Sequence, residues 1–555
     1  MRLNKITRIL AALMAVMLVL LSGCSGDKKS PDSPSDKLND KVDVNRPAWA
    51  VTEYNMDEIV DENGMFIIEK LTNAKVTELK TVGKKQVIHH LDTPYLFRAI
   101  HFRYDHLISA KLDKETREKT FEDGMRLIKE AGYNTVILYL GWDRFYDGKK
   151  YDFSEIEYQY SVAKANDLKI MWNWFGVDVC GFGGYRKWQL ADMEKYPPLK
   201  DENGDIIYGT GYAKDKPIPD LSVQSFIDCE VEAIQQLCAW LNVYDTDRRT
   251  IGIQIENEPN NDEGGHGVWF SQYSALANLI EQLSKAVKEG PYSMLTYVNL
   301  MTTGANMIVE GRDWKAQIKG YIDLENLDIT GYDYYGSTLA PDYEPIKQGD
   351  NPYVMVEFGT CVWNVPGQTN YMLSNGWGLG YYHFVYYNEV GKSTSGLYRF
   401  GSKENPFILR EGKANLLGAY ENQRELDAPQ YFEMNKSIDA LSEIIAVSDP
   451  LNMVSFNYEM KVKKNETKGV KGDFFTFKTD NGTDKDGSTG LLIKADEKTF
   501  YTYALKEATI TYKKGGIKSA SEGVYKDGKW VKTKDVDIVD GVMTYEPGKA
   551  YQIII

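Results

Sequence analysis

The stretch Thr250-Ile251-Gly252-Ile253-Gln254-Ile255-Glu256-Asn257-Glu258-Pro259 decides the fold. Isoleucine alternates with small or polar residues, the two-residue period of a strand. Ile251, Ile253 and Ile255 share one face; Gly252, Gln254, Glu256 and Glu258 share the other. Pro259 breaks the run, so Glu258 falls at its C-terminal end. A second run, Pro352-Tyr353-Val354-Met355-Val356-Glu357-Phe358-Gly359, ends in the same way. By the same parity Tyr353, Met355 and Glu357 share a face. Two carboxylates, each ending an apolar strand, converge on one mouth if both strands run parallel in a single barrel.

Working outward, the pattern alternates strand and helix. Strands are predicted near 95–102, 134–140, 169–174, 250–258, 293–298, 327–332, 352–357 and 380–385. Helical spacing occupies 121–131, 156–165, 225–241 and 270–287, with a closing helix at 437–446. This is the signature of an α/β fold, a (β/α)8 TIM barrel, over residues 91–450. Beyond 450 the runs shorten and alternate, as in 474–477, 499–503, 508–512, 542–545 and 551–554. They predict a C-terminal antiparallel β-sandwich over 451–555. Residues 46–90 form a lead-in, with short strands expected at 64–69 and 85–88.

The amino terminus is of another kind. Arg2, Lys5 and Arg8 precede an apolar run, Ile9 to Leu21, too short to span a bilayer comfortably. It closes on Leu21-Ser22-Gly23-Cys24, which resembles the lipobox of bacterial lipoproteins. That resemblance implies a signal peptide over 1–23, cleavage before Cys24, a lipid on its sulfur and attachment to the cell envelope. Ser25 is compatible with outer-membrane sorting on the same analogy. Residues 24–45 are rich in Ser, Asp, Lys and Pro and read as a flexible tether.

A net charge of −15 disfavours a phosphate backbone as partner, since no basic cluster awaits one. The 38 tyrosines and 11 tryptophans exceed what a core needs, and flat rings with polar tips suit sugar faces. The histidines, including the His89-His90 pair, His101, His106 and His383, lack metal-ligand spacing, so neither a metal nor another cofactor is expected. Residues 480–487 read as a polar hairpin turn rather than a calcium loop. Cys180, Cys229, Cys238 and Cys361 fit no zinc pattern; buried thiols or a disulfide both remain open.

Paired carboxylates at a barrel mouth are the equipment of glycosidic-bond cleavage. Asn257-Glu258-Pro259 after the fourth strand and Val356-Glu357-Phe358-Gly359 after the seventh resemble the retaining glycoside hydrolases of the large barrel clan that includes β-galactosidase families 35 and 42. Gln254-Ile255-Glu256-Asn257-Glu258 looks like the family 35 pattern, and Tyr151-Asp152-Phe153-Ser154-Glu155 like a segment of families 35 and 42. The resemblance implies Glu258 as general acid/base, Glu357 as nucleophile and Asn257 as a holder of the sugar 2-hydroxyl. It also implies an oligo- or polysaccharide substrate. Tyr332 and Tyr334 resemble the clan tyrosine that hydrogen-bonds the nucleophile. Arg98, His101 and Arg103 near the first strand, and Asn299 ending the fifth, are candidate contacts to Glu357 or substrate. Trp142, Trp174, Trp363 and Trp377 are candidate sugar-stacking rings. β-Galactoside is the first choice of linkage; β-glucoside, β-mannoside and β-xyloside remain open, as does a non-catalytic carbohydrate-binding lipoprotein.

Overall fold

The computed structural model describes residues 47–555 apart from 84, 110–111, 178–184, 210–213, 261–271, 302–313, 335–345, 347–348, 360–364, 376–379, 385–398, 401–406, 409–412, 416–424, 457–474 and 480–488. The expected signal peptide, Cys24 and the tether lie outside the described residues, as do Trp363, Trp377, Cys180, Cys361 and the 480–487 turn.

Eight parallel strands pair around a closed ring: β1 (Phe97–His101), β2 (Thr135–Gly141), β3 (Lys169–Phe175), β4 (Thr250–Ile255), β5 (Leu295–Met301), β6 (Ile329–Tyr334), β7 (Met355–Gly359) and β8 (Gly380–Phe384). β8 pairs with β1 and so removes every free edge. Outside lie α1 (Lys114–Glu130), α2 (Ser154–Ala165), α3 (Gln224–Tyr244), α4 (Tyr273–Glu289), α5 (Trp314–Ile322) and α6 (Val365–Asn375). After β8 come α7 (Ala428–Ala440) and α8 (Ser442–Val447). Gly132, at φ +83°, supplies the left-handed turn that ends α1. α5 and α6 were not expected: their apolar residues are too few to stand out from the surrounding loops.

The alternation of faces is visible in the cores. Ile100, Leu138, Trp172, Ile253, Ile255, Val298, Leu300 and Met355 pack against the helices. Phe97, Ala99, Ile137, Met171, Leu295, Tyr297, Ile329, Val354 and Val356 fill the barrel interior. Two of the expected parities fail. Ile251 joins the interior, beside an irregularity in the β3–β4 pairing. Tyr353 and Met355 face the helices while Val354 and Val356 point inward. A bulge then intervenes: Tyr332 pairs with Met355 but Asp333 with Glu357, which leaves Val356 as the extra residue. The bulge returns Glu357 to the interior after a run whose alternation would have carried it outside.

In the lead-in, Thr77–Val82 and Lys85–His90 form a hairpin whose Leu79 and Ile88 close the lower end of the barrel interior. The strand expected at 64–69 is a single bridge at Phe66 followed by a 3-10 turn. The Phe66 N–H and carbonyl bond the Gln236 amide of α3, at 2.8 and 2.9 Å, while Met65 and Ile67 bond the backbone of Asp61 and Ile59.

The carboxyl-terminal strands are β9 (Met453–Phe456), β10 (Phe475–Thr479), β11 (Gly490–Lys494), β12 (Thr499–Ala504), β13 (Ala508–Tyr512), β14 (Ser519–Lys526), β15 (Lys529–Val536), β16 (Val542–Tyr545) and β17 (Ala550–Ile554). They make one antiparallel sheet in the order β9-β11-β12-β17-β14-β15 and a second, β10-β13-β16. Phe456, Phe477, Leu492, Phe500, Ile510, Met543, Tyr545 and Ile553 form the core between the sheets. The outer face of the larger sheet is buried as well: Leu491, Ile493, Tyr501 and Tyr503 join the helix-side core of the barrel. Asn370 of α6 fixes this contact, donating to Thr489 Oγ1 at 2.9 Å and accepting from the Tyr503 hydroxyl.

Candidate active site

β4 ends at Ile255, three residues before Glu258. The chain then turns through two left-handed residues, Glu256 (φ +62°) and Glu258 (φ +44°). Non-glycine residues resist this conformation, and it persists where surrounding bonds over-determine it. Those bonds are present. Gln254 Nε2 donates to the Glu256 carbonyl at 3.1 Å, and the Glu258 N–H donates to Asn299 Oδ1 at 2.9 Å. Gln254 Nε2 and Asn299 Nδ2 both donate to Asn257 Oδ1, each at 3.2 Å. The Asn257 carboxamide is thereby oriented with its NH2 away from these donors.

Glu258, Asn257 and Glu357 keep 5%, 7% and 6% of their surface exposed, whereas Asp333, Asn299 and Tyr297 keep none. The first three therefore form the accessible layer and the second three its floor. The carboxyls interact across the site. Asp333 is hydrogen-bonded to Glu258 and feels the charges of Glu357 and Glu258. Asn299 Nδ2 donates to Asp333 Oδ2 at 2.7 Å. Burial, first, and then neighbouring carboxylates push Asp333 well above the ordinary aspartate range. Burial and the Glu258 charge likewise push Glu357 up, and the Arg103 cation opposes them. Three acids in so little water cannot all ionise, and the only cation among these influences acts on Glu357. Asp333, on which no cation acts among the described residues, keeps its proton toward Glu258, and the Arg103 cation is the influence that favours charge on Glu357. The Tyr297 phenol is raised by burial and by Glu357 and Asp333, so it keeps its proton.

Arg103 is aimed by three contacts. Its Nε and Nη2 donate to Asp105 at 2.8 and 2.7 Å, and its guanidinium lies 4.1 Å from the Tyr139 ring centroid and 5.2 Å from that of Phe175. His101 is hydrogen-bonded to the backbone of Val356, the bulge residue that precedes Glu357. Burial and the Arg103 charge lower His101 to about 3, so its ring is neutral. His101 and Arg103 therefore serve Glu357, one through the bulge and one through charge.

Other candidates are placed elsewhere. Arg98 leaves the site: it donates to the Gly132 carbonyl and pairs with Asp439 of α7 on the outside of the barrel. Tyr332 faces the helices, donating to the Tyr353 hydroxyl at 2.8 Å, with Met372 of α6 beside it. Even parity places it on the face opposite Asp333. Tyr334 has a described backbone only. Trp142 and Trp174 are interior packing residues, with Trp142 Nε1 donating to the Gly176 carbonyl and Trp174 Nε1 to Glu230. Asn299 spends its amide on Glu258, Asp333 and Asn257, which makes it scaffold for the turn rather than a sugar contact. Glu256 turns away from the site and accepts from the Val177 N–H at 2.9 Å. Asp333 and Tyr297 were missed. Tyr297 stands two residues before Asn299 on its strand, a signal the sequence contained; Asp333 was hidden by ending the sixth strand at Tyr332, two residues early. Cys229 and Cys238 are free thiols. Among the described residues no group of three His, Cys, Asp or Glu is disposed to hold a metal ion.

No protein-family model and no curated protein sequence matches the chain. Similar solved structures include a β-mannanase from Thermomonospora fusca, at 15% identity over 56% of this chain and 84% of that one, with a TM-score of 0.35. A family 39 glycoside hydrolase from Bacteroides cellulosilyticus gives 12% identity over 85% and 84%, TM-score 0.37. A family 5 mannosidase from Rhizomucor miehei gives 14% over 67% and 99%, TM-score 0.39. Scores this low leave the chemistry of the site to its own geometry.

Proposed function

We propose that the chain is a retaining glycoside hydrolase that cleaves β-glycosidic bonds by double displacement, with β-galactosides as first choice. The observation that carries this is the meeting of Glu258 and Glu357, about a hundred residues apart in sequence, in one buried site where the Glu258 charge raises Glu357 and both raise Asp333. Glu357, facing the Arg103 cation, is the carboxylate. It attacks the anomeric carbon while Glu258 gives its proton to the departing glycosidic oxygen. A covalent glycosyl ester forms and the aglycone leaves. Glu258, now a base, takes a proton from water, whose oxygen displaces Glu357. The Asn257 NH2 is placed to donate to the sugar 2-hydroxyl. Retention and the β-galactoside preference rest on the resemblance of the two glutamate motifs to families 35 and 42.

In the same proposal, residues 91–450 are the catalytic barrel and 451–555 brace it through α6. Once the 1–23 signal peptide is cleaved off, a lipid on Cys24 holds the enzyme, by the 24–45 tether, on an envelope membrane. Radiolabelled palmitate should enter the wild type and not Cys24→Ser.

The test of activity is a panel of chromogenic β-galactoside, β-glucoside, β-mannoside and β-xyloside substrates given to wild type and Glu357→Ala. Turnover of one or more by the wild type alone, with the anomeric configuration retained by NMR, is the expected result. Binding of oligosaccharide with turnover of none would make the chain a carbohydrate-binding protein instead.

A further inference from the structure

Behind the mouth lies a second acid pair that this reaction does not use. Glu230 stands on α3 and Glu256 just past β4, and neither is exposed. Their Oε1 atoms converge beside Gly176, 1.7 and 2.2 Å from where a Cβ would stand there, which sets the two carboxyls within hydrogen-bond reach of each other. Trp174 Nε1 donates to Glu230 Oε1 at 2.6 Å, and the Val177 N–H donates to Glu256 Oε1 at 2.9 Å. The backbone of Gly176 runs against both: a Cβ there would collide with each of these oxygens. Glycine is required at 176 because the chain passes so close to the two acids.

A hydrogen bond between two carboxyls needs a proton on one of them, since two carboxylates have only acceptors to offer. The surroundings favour keeping it. Among the described residues Arg186 is the cation acting on Glu230, and it also donates to the carbonyls of Phe175 and Gly176. Cys229, next to Glu230 on α3, and the Tyr321 phenol of α5, which feels Glu256, are neutral neighbours raised by burial. Burial holds Glu230 above the ordinary glutamate range. One cation supports one negative charge here, not two.

The pair adjoins the catalytic turn. Glu256 and Glu258 are the two left-handed residues that bring the acid/base to the site. Of the bonds that hold this turn, those from Gln254 and Asn299 do not titrate; the carboxyl contacts of Glu256 do. We propose that Glu230 and Glu256 share a single proton and act together as positioning residues for Glu258, locking the left-handed turn that presents it. The proposal rests on Glu258 being the acid/base of the hydrolase reading. When the shared proton is lost, two carboxylates face each other without water, Glu256 moves off the Val177 N–H, and the turn relaxes.

Glu230→Gln tests this, because its amide can still accept from Trp174 and donate to Glu256 with no proton to lose. Wild-type Tm is expected to fall as pH rises from the ordinary glutamate range through the pair's titration, since the folded chain retains a proton that the unfolded chain has released. The variant should show a shallower fall, smaller by the one proton of this pair, because the raised Asp333 still contributes its own. Infrared difference spectra should show one protonated carboxyl fewer in the variant at neutral pH. The alkaline limb of kcat should move up by at least about one pH unit, leaving the variant about tenfold more active where the wild type has faded. Superimposable Tm and kcat profiles with an unchanged infrared count would overturn the proposal. If the wild type turns over no glycoside, the hydrolase reading fails, and the infrared and melting results still decide the shared proton. Should Glu230→Gln not fold, Glu256→Gln carries the same infrared and melting test.

Discussion

At the N-terminal end of the barrel, Asp245 accepts from the Tyr160 and Tyr292 hydroxyls at 2.9 and 2.7 Å and from the N–H groups of Arg249 and Thr250 at 2.8 and 2.7 Å. Arg248 beside it donates to the carbonyls of Trp49, Ala50, Asn242 and Asp245. At the C-terminal end, Glu258, Asp333 and Glu357 crowd one another, with Asn299 and Arg103 to relieve them. Both clusters are buried. The lower one has a donor for each acceptor and ties the lead-in to the barrel, so it stabilises. The upper one has more acid than donors, so its protons are mobile and its stability is poorer. Chemistry needs the second condition, and the fold is held by the first.

Breaking each cluster should therefore give opposite signatures. Glu357→Gln is expected to lower kcat at least about a thousandfold, with Tm unchanged or raised because a crowded carboxyl is gone. A drop in Tm with normal turnover would reverse the roles of the two ends. Asp245→Asn puts an amide N–H against donors and should cost about 3–5 kcal/mol in denaturant melts while KM stays the same. Acid should attack both ends together. His90, packed at the base with its Nε2 2.7 Å from the Arg248 carbonyl, is lowered to about 4 by burial and by Lys169, and His101 to about 3. Each is neutral when folded, and the unfolded chain takes up protons first, below about pH 6.5. Stability should fall from there toward pH 4, His90 accounting for roughly 3 kcal/mol by the end. A melting series in which His90→Gln loses as much stability as the wild type over that window would contradict the assignment. The smallest effect is expected of Asp333→Asn. Without that neighbouring carboxyl Glu258 gives up its proton more readily, so the alkaline limb of kcat should move down by about one pH unit.

The structure also separates what a sequence pattern can carry from what it cannot. Alternating strands and helices located the eight barrel strands to within a few residues, because burial on both faces demands continuous apolar runs. Glu258 and Glu357 stood out because each interrupts such a run. The faces were less secure. Strict parity is right for Ile253 and Ile255, and it fails at Ile251 and again at Tyr353 and Met355, where bulges reset the alternation. Tyr332 and Arg98 carried suitable chemistry on the wrong side of the sheet.

The order of elements, the two glutamates at strand ends and the change of pattern near residue 450 were determined by the sequence alone, because hydrophobic period and chain-breaking residues are local properties. Contacts between distant residues decided the rest. The Val356 bulge that turns Glu357 inward, the Asn299 bond that fixes the Glu258 turn, the placing of Asp333 between the two acids and the Glu230–Glu256 pair all depend on neighbours dozens of residues away. Side-chain direction at a bulge or a left-handed turn is set by such neighbours, and no local pattern records them.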